Sequence, residues 1–172
     1  MNTITEGEAL NLDAISFKRL VDGNAVDISG KDIFAGKKIA VFGVPGAFTP
    51  TCSTTHLPGY EAKYDEILEQ DVDEIYCLSV NDSFVMNAWF DSLGISMVQP
   101  IADGNADFTR QMGMLVKKEP VCFGYRSQRY SMVVDNGRVE MIFVEEGKED
   151  NMENVSTPHS DGECLVSPLR VR

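Results

Sequence analysis

The chain has 172 residues, of which 43% are hydrophobic and 24% are charged. This length suits one compact domain, because a chain of this size buries roughly 70% of its unfolded surface on folding. Acidic residues outnumber basic ones by 27 to 15, which gives a formal net charge of −12. A surface of that sign repels nucleic-acid phosphates and anionic lipid headgroups, so neither nucleic acid nor a membrane is an expected partner.

The N-terminal segment MNTITEGEALNLDAISFKRL carries acidic residues early and lacks the apolar core of a secretory signal. We therefore expect a soluble, cytoplasmic protein. The cysteines at 52, 77, 122 and 164 show none of the C-x-x-C spacing of zinc sites or redox dithiols. A reducing cytosol argues against a static disulfide framework, so any disulfide here should be transient and no metal site is expected.

The first 37 residues predict a short strand with a turn at Val21–Ala25, and then a short helix that begins at Ser29-Gly30 and ends at Gly36. Residues 38–44 form an apolar run, KIAVFGV, that predicts a buried strand. A helix should follow from Cys52 to about Gln70.

Residues 75–80 predict a second strand of continuous apolar character, which is typical of a parallel central sheet. The next helix is expected at Asp82–Leu93, with Asn81 or Asp82 as its cap. The segment Val98–Ile101 predicts a short edge strand, because Pro100 cannot donate to a strand ladder.

A brief helix is expected at Phe108–Met112, followed by strands at Arg129–Val134 and Arg138–Val144. The Asn136-Gly137 pair between these strands favours a tight type I′ hairpin. Parallel strands followed by an antiparallel hairpin predict an α/β protein with a thioredoxin-like fold, in which helices flank a central mixed sheet. The polar composition from about residue 146 predicts a long tail on this single domain, 1–172.

The segment PGAFTPTC, residues 45–52, is the most informative part of the chain. It closes the apolar strand and delivers a cysteine to the start of the next helix. Unpaired N–H groups and the positive end of the helix dipole favour a thiolate over a thiol at such a place. Cys52 is therefore predicted to be reactive.

The same segment fits the pattern P-x-x-x-T-x-x-C, with Pro45, Thr49 and Cys52 in its fixed places. Further along, CSTTHLPGY, LSVNDSFVMNAW, DGNADFTRQMGM and RSQRYSMVVDNGRVE continue the match. From about Lys38 to about Glu145 the chain resembles the peroxiredoxin family, and within it the peroxiredoxin-five or type II subgroup. Some bacterial members of that subgroup carry a fused glutaredoxin domain, which we do not expect here.

This resemblance implies a thiol peroxidase that reduces hydrogen peroxide and small organic hydroperoxides. Cys52 would be the nucleophile and would become a sulfenic acid. Thr49 would orient the peroxide, and Pro45 would stiffen the loop and help to exclude water. A permanent positive charge would stabilise the thiolate, and Arg129 matches the family's arginine, with Arg126 as the alternative.

His56 follows Cys52 by one helical turn and could in principle accept its proton. The family assigns no base to this place, so a structural or hydrogen-bonding role is favoured. For the thiol that resolves the sulfenic acid, Cys164 in the tail resembles the resolving cysteine of animal-type members. Cys77, Cys122 and an external thiol remain alternatives.

No bound cofactor is implied, and electrons would come from thioredoxin or from glutaredoxin and glutathione. Members of the subgroup commonly form a homodimer through the face that bears the active-site loops. Phe48, Phe84 and Trp89 could contribute to it, or could equally be aromatic residues of the core or of helix packing. A redox sensor or relay that oxidises protein partners would show the same cysteine. A disulfide reductase is disfavoured because C-x-x-C is missing.

Overall fold

A seven-stranded mixed sheet forms the centre of the computed structural model, which describes residues 2–145. Its strand order is β2-β1-β5-β4-β3-β8-β9, and β6 and β7 form a separate pair. The strands are β1 (Ser16–Val21), β2 (Asn24–Ser29), β3 (Lys38–Val44), β4 (Glu74–Ser79), β5 (Gln99–Ala102), β6 (Leu115–Lys118), β7 (Gly124–Ser127), β8 (Tyr130–Asp135) and β9 (Arg138–Val144). The α-helices are α1 (Gly30–Phe34), α2 (Leu57–Ala62), α3 (Tyr64–Leu68), α4 (Ser83–Leu93) and α5 (Asp107–Gln111).

Strand β3 lies in the middle of the sheet, parallel to β4 and antiparallel to β8. Its side chains alternate between two cores. Phe42 packs in the core beneath α2, α3 and α4, whereas Ile39 and Val41 pack in the core beneath α1 and α5. Burial on both faces explains why this strand is apolar throughout. The expected thioredoxin-like α/β fold is confirmed.

The predicted edge strand at Val98–Ile101 is wrong in its position, because β5 lies inside the sheet between β4 and β1. Its register with β1 consists of one pair, Lys18 with Ala102. Pro100 therefore lies outside the stretch paired with β1 and is tolerated at an interior position.

The single helix predicted from Cys52 to about Gln70 is also wrong, because three segments occupy this stretch. A π-helical segment spans Cys52–His56, and α2 and α3 follow it. The break between α2 and α3 falls at Lys63, whose φ and ψ of −100° and 10° are not helical. Helix boundaries of this kind depend on packing against the sheet more than on sequence periodicity.

The hairpin between β8 and β9 agrees with the prediction. Asn136 and Gly137 both have positive φ, 46° and 81°, as a type I′ turn requires. A bulge between Val133 and Val134 shifts the register farther along this hairpin. The short β6–β7 pair escaped sequence analysis because its charged four-residue strands show no clear alternation. No helix within residues 2–145 is long and apolar enough to span a membrane.

Candidate active site

The loop after β3 is held by hydrogen bonds at both of its ends. The Thr49 hydroxyl donates to the Gly46 carbonyl at 2.7 Å. The Ala47 amide donates to Asn81 Oδ1 at 3.0 Å, which ties the loop to the segment after β4. Pro45 is buried and limits the backbone freedom of the loop. The loop is thus a fixed platform at the carboxyl edge of the parallel strands.

Cys52 lies in the first turn of the helical segment, which begins at Pro50, and its side chain is 0% exposed. The following turn is π-helical, with the Leu57 amide bonded to the Cys52 carbonyl. Pro58 accounts for this widening, because it has no N–H for the Thr54 carbonyl and its ring would clash with that carbonyl in a regular α-helix. The predicted placement of the cysteine at a helix start agrees with the structure.

Arg129 meets Cys52 as a result of strand topology. Strand β8 runs antiparallel to β3, with Tyr130 opposite Gly43, so the residue before β8 lies beside the loop that follows β3. The Arg129 side chain is 6% exposed, and its Nη1 donates to Cys52 Sγ at 3.3 Å. The structure therefore brings together two of the residues that the sequence singled out.

His56 lies beside the same guanidinium nitrogen as Cys52. Its Nδ1 is 3.5 Å from Arg129 Nη1, and its ring packs edge-on against Phe42. Burial, with a further contribution from the Arg129 charge, lowers the pKa of His56 to about 3. A neutral imidazole can accept a hydrogen bond from Arg129, but it is a poor acceptor for a proton from Cys52. The structural role favoured from sequence fits this geometry.

Glu145 reaches Arg129 from the end of β9. Its Oε2 is 3.5 Å from Arg129 Nε, and the Glu145 side chain is 12% exposed. The Glu145 amide also donates to the Arg129 carbonyl at 3.1 Å. Arg129 thus faces a thiol sulfur with one nitrogen and a carboxylate with another.

Arg126, the alternative cation, lies over the loop. Its Nη1 donates to the Val80 carbonyl at 3.2 Å, and its Nε donates to the Phe123 carbonyl at 2.9 Å. Burial lowers the pKa of Arg126, and the nearby charge of Cys52 opposes that shift. Arg126 contributes positive charge near the loop, whereas Arg129 makes the direct contact with sulfur.

The three aromatic residues suggested for a dimer face differ in exposure. Phe48 is 55% exposed and Phe84 is 61% exposed. Trp89 is fully buried, and its Nε1 donates to Ser53 Oγ at 2.9 Å. Trp89 therefore belongs to the core and anchors α4 to the segment that carries Cys52.

The remaining cysteines have different surroundings. Cys77 is fully buried in β4, and burial, with a contribution from Cys52, raises the pKa of Cys77 well above its usual value. Cys122 is exposed and has a positive φ of 58°. Cys164 lies outside the described residues. The polar tail predicted from about residue 146 lies outside them as well.

Sequence analysis missed two residues that contact this site. Asn81 was considered only as a helix cap, but Asp82 caps α4 and Asn81 accepts from the loop. Glu145 carried no motif. A signal for Asn81 was its place two residues after the parallel strand β4, where polar residues converge at one edge of the sheet.

Comparison with known proteins places this chain in a family. Residues 7–156 match the family described as Redoxin. A peroxiredoxin of Rhizobium etli is 50% identical over 149 residues, which cover 84% of this chain and 83% of the relative. The hybrid peroxiredoxin hyPrx5 of Haemophilus influenzae is 45% identical, over 80% of this chain and 57% of the relative.

A solved structure is also similar to this chain. The reduced Prx3 of Vibrio vulnificus in complex with hydrogen peroxide has a TM-score of 0.86 and 38% identity, covering 97% of this chain and 99% of that one. The cysteine, the loop and the arginine described above lie within the stretch matched to the Redoxin family. The chain belongs to the peroxiredoxin family, is of the peroxiredoxin-five or type II kind, and is a thiol-dependent peroxidase.

Proposed function

We propose that Cys52 is the nucleophile of this peroxidase and that Arg129 stabilises both its thiolate and the reacting oxygens. The observation that supports this most directly is the 3.3 Å contact between Arg129 Nη1 and Cys52 Sγ in a buried site. A hydrogen bond from a charged donor to a thiolate is stronger than one between neutral groups. Little solvent is present to weaken it.

In the proposed step the Cys52 thiolate attacks one peroxide oxygen. An S–O bond forms while the O–O bond breaks, and the electron pair moves to the departing oxygen. That oxygen takes a proton and leaves as water or an alcohol, so that sulfur is oxidised to a sulfenic acid and the peroxide is reduced. Arg129 offers fixed N–H donors where the negative charge develops.

Thr49 and Pro45 complete the proposed site. Because the Thr49 hydroxyl hydrogen is used toward the Gly46 carbonyl, the oxygen lone pairs can accept a hydrogen bond from the peroxide O–H. Pro45 removes a backbone donor and is buried beneath the loop. We assign Thr49 to orienting the substrate and Pro45 to the rigidity of the loop.

The proposed substrates are hydrogen peroxide and small organic hydroperoxides. The Cys52 side chain is 0% exposed, which favours compact substrates that can enter a narrow site. The Vibrio vulnificus relative was solved with hydrogen peroxide, which adds support for this substrate.

We further propose that Cys164 resolves the sulfenic acid and that thioredoxin, or glutaredoxin with glutathione, reduces the product. Attack by Cys164 would form a disulfide and release water. The raised pKa of Cys77 argues against that thiol, because the thiolate is the attacking species. Cys122 and an external thiol remain the alternatives.

For the assembly we propose a single domain, 1–172, with a polar tail from about residue 146, that associates as a homodimer. Two exposed aromatic side chains, Phe48 at 55% and Phe84 at 61%, offer apolar surface of the kind that such an interface buries. A cytoplasmic location would supply the thiol systems that turnover consumes.

The decisive experiment compares Cys52→Ser with Cys122→Ser in a peroxide-consumption assay, with each reducing system supplied separately. Cys52→Ser should retain less than about a hundredth of the turnover, because removing the attacking atom costs several kcal/mol of barrier. Cys122→Ser is the matched control at an exposed cysteine: because Cys164 is the proposed resolving thiol, this variant should remain active, and a loss of turnover in it would identify Cys122 as the resolving thiol instead. Substantial turnover by Cys52→Ser would refute the assignment of the nucleophile.

The identity of the resolving thiol is tested by peptide mapping after treatment with one equivalent of peroxide. We expect a Cys52–Cys164 disulfide, within a chain or across a dimer. A disulfide to Cys77 or Cys122, or a sulfenic acid that persists until glutathione is added, would contradict the choice of Cys164 and leave the role of Cys52 intact.

A further inference from the structure

We propose that Glu145 is a positioning residue for the peroxidase reaction, which holds the Arg129 guanidinium so that Nη1 points at Cys52 Sγ. This inference rests on the roles proposed above for Cys52 and Arg129. Glu145 does not touch the sulfur itself. Its effect would pass through the orientation and charge of the arginine.

Glu145 is fixed to Arg129 by backbone as well as side chain. Its amide donates to the Arg129 carbonyl at 3.1 Å, and its own carbonyl accepts from Gln128 Nε2 at 3.0 Å. The first bond continues the β8–β9 pairing past Tyr130 and Val144, and the second ties the Glu145 carbonyl to the Gln128 side chain. The carboxylate therefore starts from a defined backbone position when it reaches Arg129 Nε at 3.5 Å.

The guanidinium is planar and rigid, so an acceptor at one nitrogen constrains the direction of the others. Glu145 occupies Nε. Nη1, at the other end, donates to Cys52 Sγ at 3.3 Å and lies 3.5 Å from His56 Nδ1. A flexible arginine side chain loses this alignment when an acceptor is removed, and misplacement by about 1 Å can cost roughly a hundredfold in rate.

Charge balance provides a second argument. In the reduced enzyme the Arg129 cation faces the Cys52 thiolate and the Glu145 carboxylate. Once Cys52 becomes a neutral sulfenic acid or a disulfide, one of these anions disappears. An uncompensated buried cation is costly, and Glu145, only 12% exposed, keeps Arg129 paired through the whole cycle.

The experiment measures two rates for Cys52 in Glu145→Ala, Glu145→Gln and the parent protein. Trp89 fluorescence reports the reaction with hydrogen peroxide. Trp89 is the only tryptophan in the chain, and it donates a hydrogen bond to Ser53, the residue next to Cys52. Reaction with iodoacetamide requires the thiolate but no alignment of a peroxide. The ratio of the two rates therefore isolates positioning.

We expect Glu145→Ala to lower the peroxide rate constant by about tenfold or more, which corresponds to about 1.4 kcal/mol of barrier. Its alkylation rate should stay within about threefold of the parent. Glu145→Gln keeps an oxygen acceptor for Arg129 Nε and should recover most of the peroxide rate. A role confined to stability would not give this rescue pattern.

Asp73→Ala is the control, because Asp73 Oδ2 accepts from the Lys38 amide at 2.8 Å, at the end of β3 opposite to the loop that leads to Cys52. It should lower stability without changing the ratio of the two rates. Equal ratios in Glu145→Ala and the parent would overturn the inference. A parallel fall of both rates together with the melting temperature would overturn it as well. Either result is distinct from failure of the proposed function, which an active Cys52→Ser would show.

Discussion

Replacement of Arg129 by alanine removes the cation that faces Cys52. Two unit charges at the observed 3.3 Å would interact by about 5 kcal/mol at an effective dielectric constant of about 20, which is an upper bound. Charged hydrogen bonds contribute roughly 1.5–3 kcal/mol net in proteins. We therefore expect a loss of about 3 kcal/mol of transition-state stabilisation, or roughly a hundredfold in the rate constant with hydrogen peroxide.

Stability must be separated from chemistry in this variant. Arg129→Ala leaves the poorly exposed Glu145 carboxylate without its cation, and breaking a buried pair costs about 3–5 kcal/mol. The double variant Arg129→Ala/Glu145→Gln removes that unpaired charge. We expect it to regain most of the lost free energy of unfolding while its peroxide rate stays low.

The assay is stopped-flow Trp89 fluorescence with hydrogen peroxide in excess, alongside denaturant unfolding of each variant. Arg129→Lys retains the charge but cannot reproduce the guanidinium fork toward Cys52 and Glu145, so its rate should fall between those of the parent and the alanine variant. A folded Arg129→Ala/Glu145→Gln protein that reacts within about threefold of the parent would refute the electrostatic argument.

Three further predictions concern the framework of the site. Because the pKa of His56 falls from 6.5 to about 3 on folding, the unfolded chain binds more protons between these values, and stability should drop as pH falls through that window. Between pH 7.5 and pH 5.5 the free energy of unfolding should fall by about 1.4 kcal/mol more in the parent than in His56→Asn, as measured by denaturant titration at each pH. An equal fall in the two proteins would contradict a neutral buried imidazole. Gly43→Ala should cost about 1–3 kcal/mol, since a Cβ there would lie 2.8 Å from Tyr130 Cδ1, whereas Gly104→Ala, with no neighbour closer than 3.6 Å, is the control that should fold normally. Asn81→Ala leaves a loop amide without its acceptor and should cost about 1–2 kcal/mol along with part of the peroxide rate; unchanged values would show that this bond does not hold the loop.

Several features of the fold follow from local sequence patterns. The apolar run at 38–44 gave the bounds of β3, because a strand buried on both faces needs no polar alternation. The Asn136-Gly137 pair identified the turn between β8 and β9, because few residues tolerate two successive positive φ angles. The P-x-x-x-T-x-x-C segment located Cys52 at a helix start.

Other features depend on packing that a local pattern does not record. Pro100 suggested an edge strand, but β5 lies inside the sheet, between β1 and β4. Pro100 is tolerated there because the pairing of β5 with β1 is limited to Ala102. The helix after Cys52 is divided because Pro58 widens one turn and Lys63 interrupts another. Trp89, a candidate for an exposed face, is buried because α4 packs against the sheet.

The contacts around Arg129 illustrate the same division. Sequence alone identified Cys52 and Arg129 as partners through the resemblance of their flanking segments. It could not identify Glu145. The two-residue hairpin pairs Asp135 with Arg138, and if that register continued unchanged along both strands, Val144 would lie opposite Arg129. The bulge between Val133 and Val134 advances β9 by one residue, so that Tyr130 pairs with Val144 and the carboxylate of the next residue reaches the arginine. Local propensity specifies a turn or a strand, whereas a register shift of one residue depends on how the whole sheet packs.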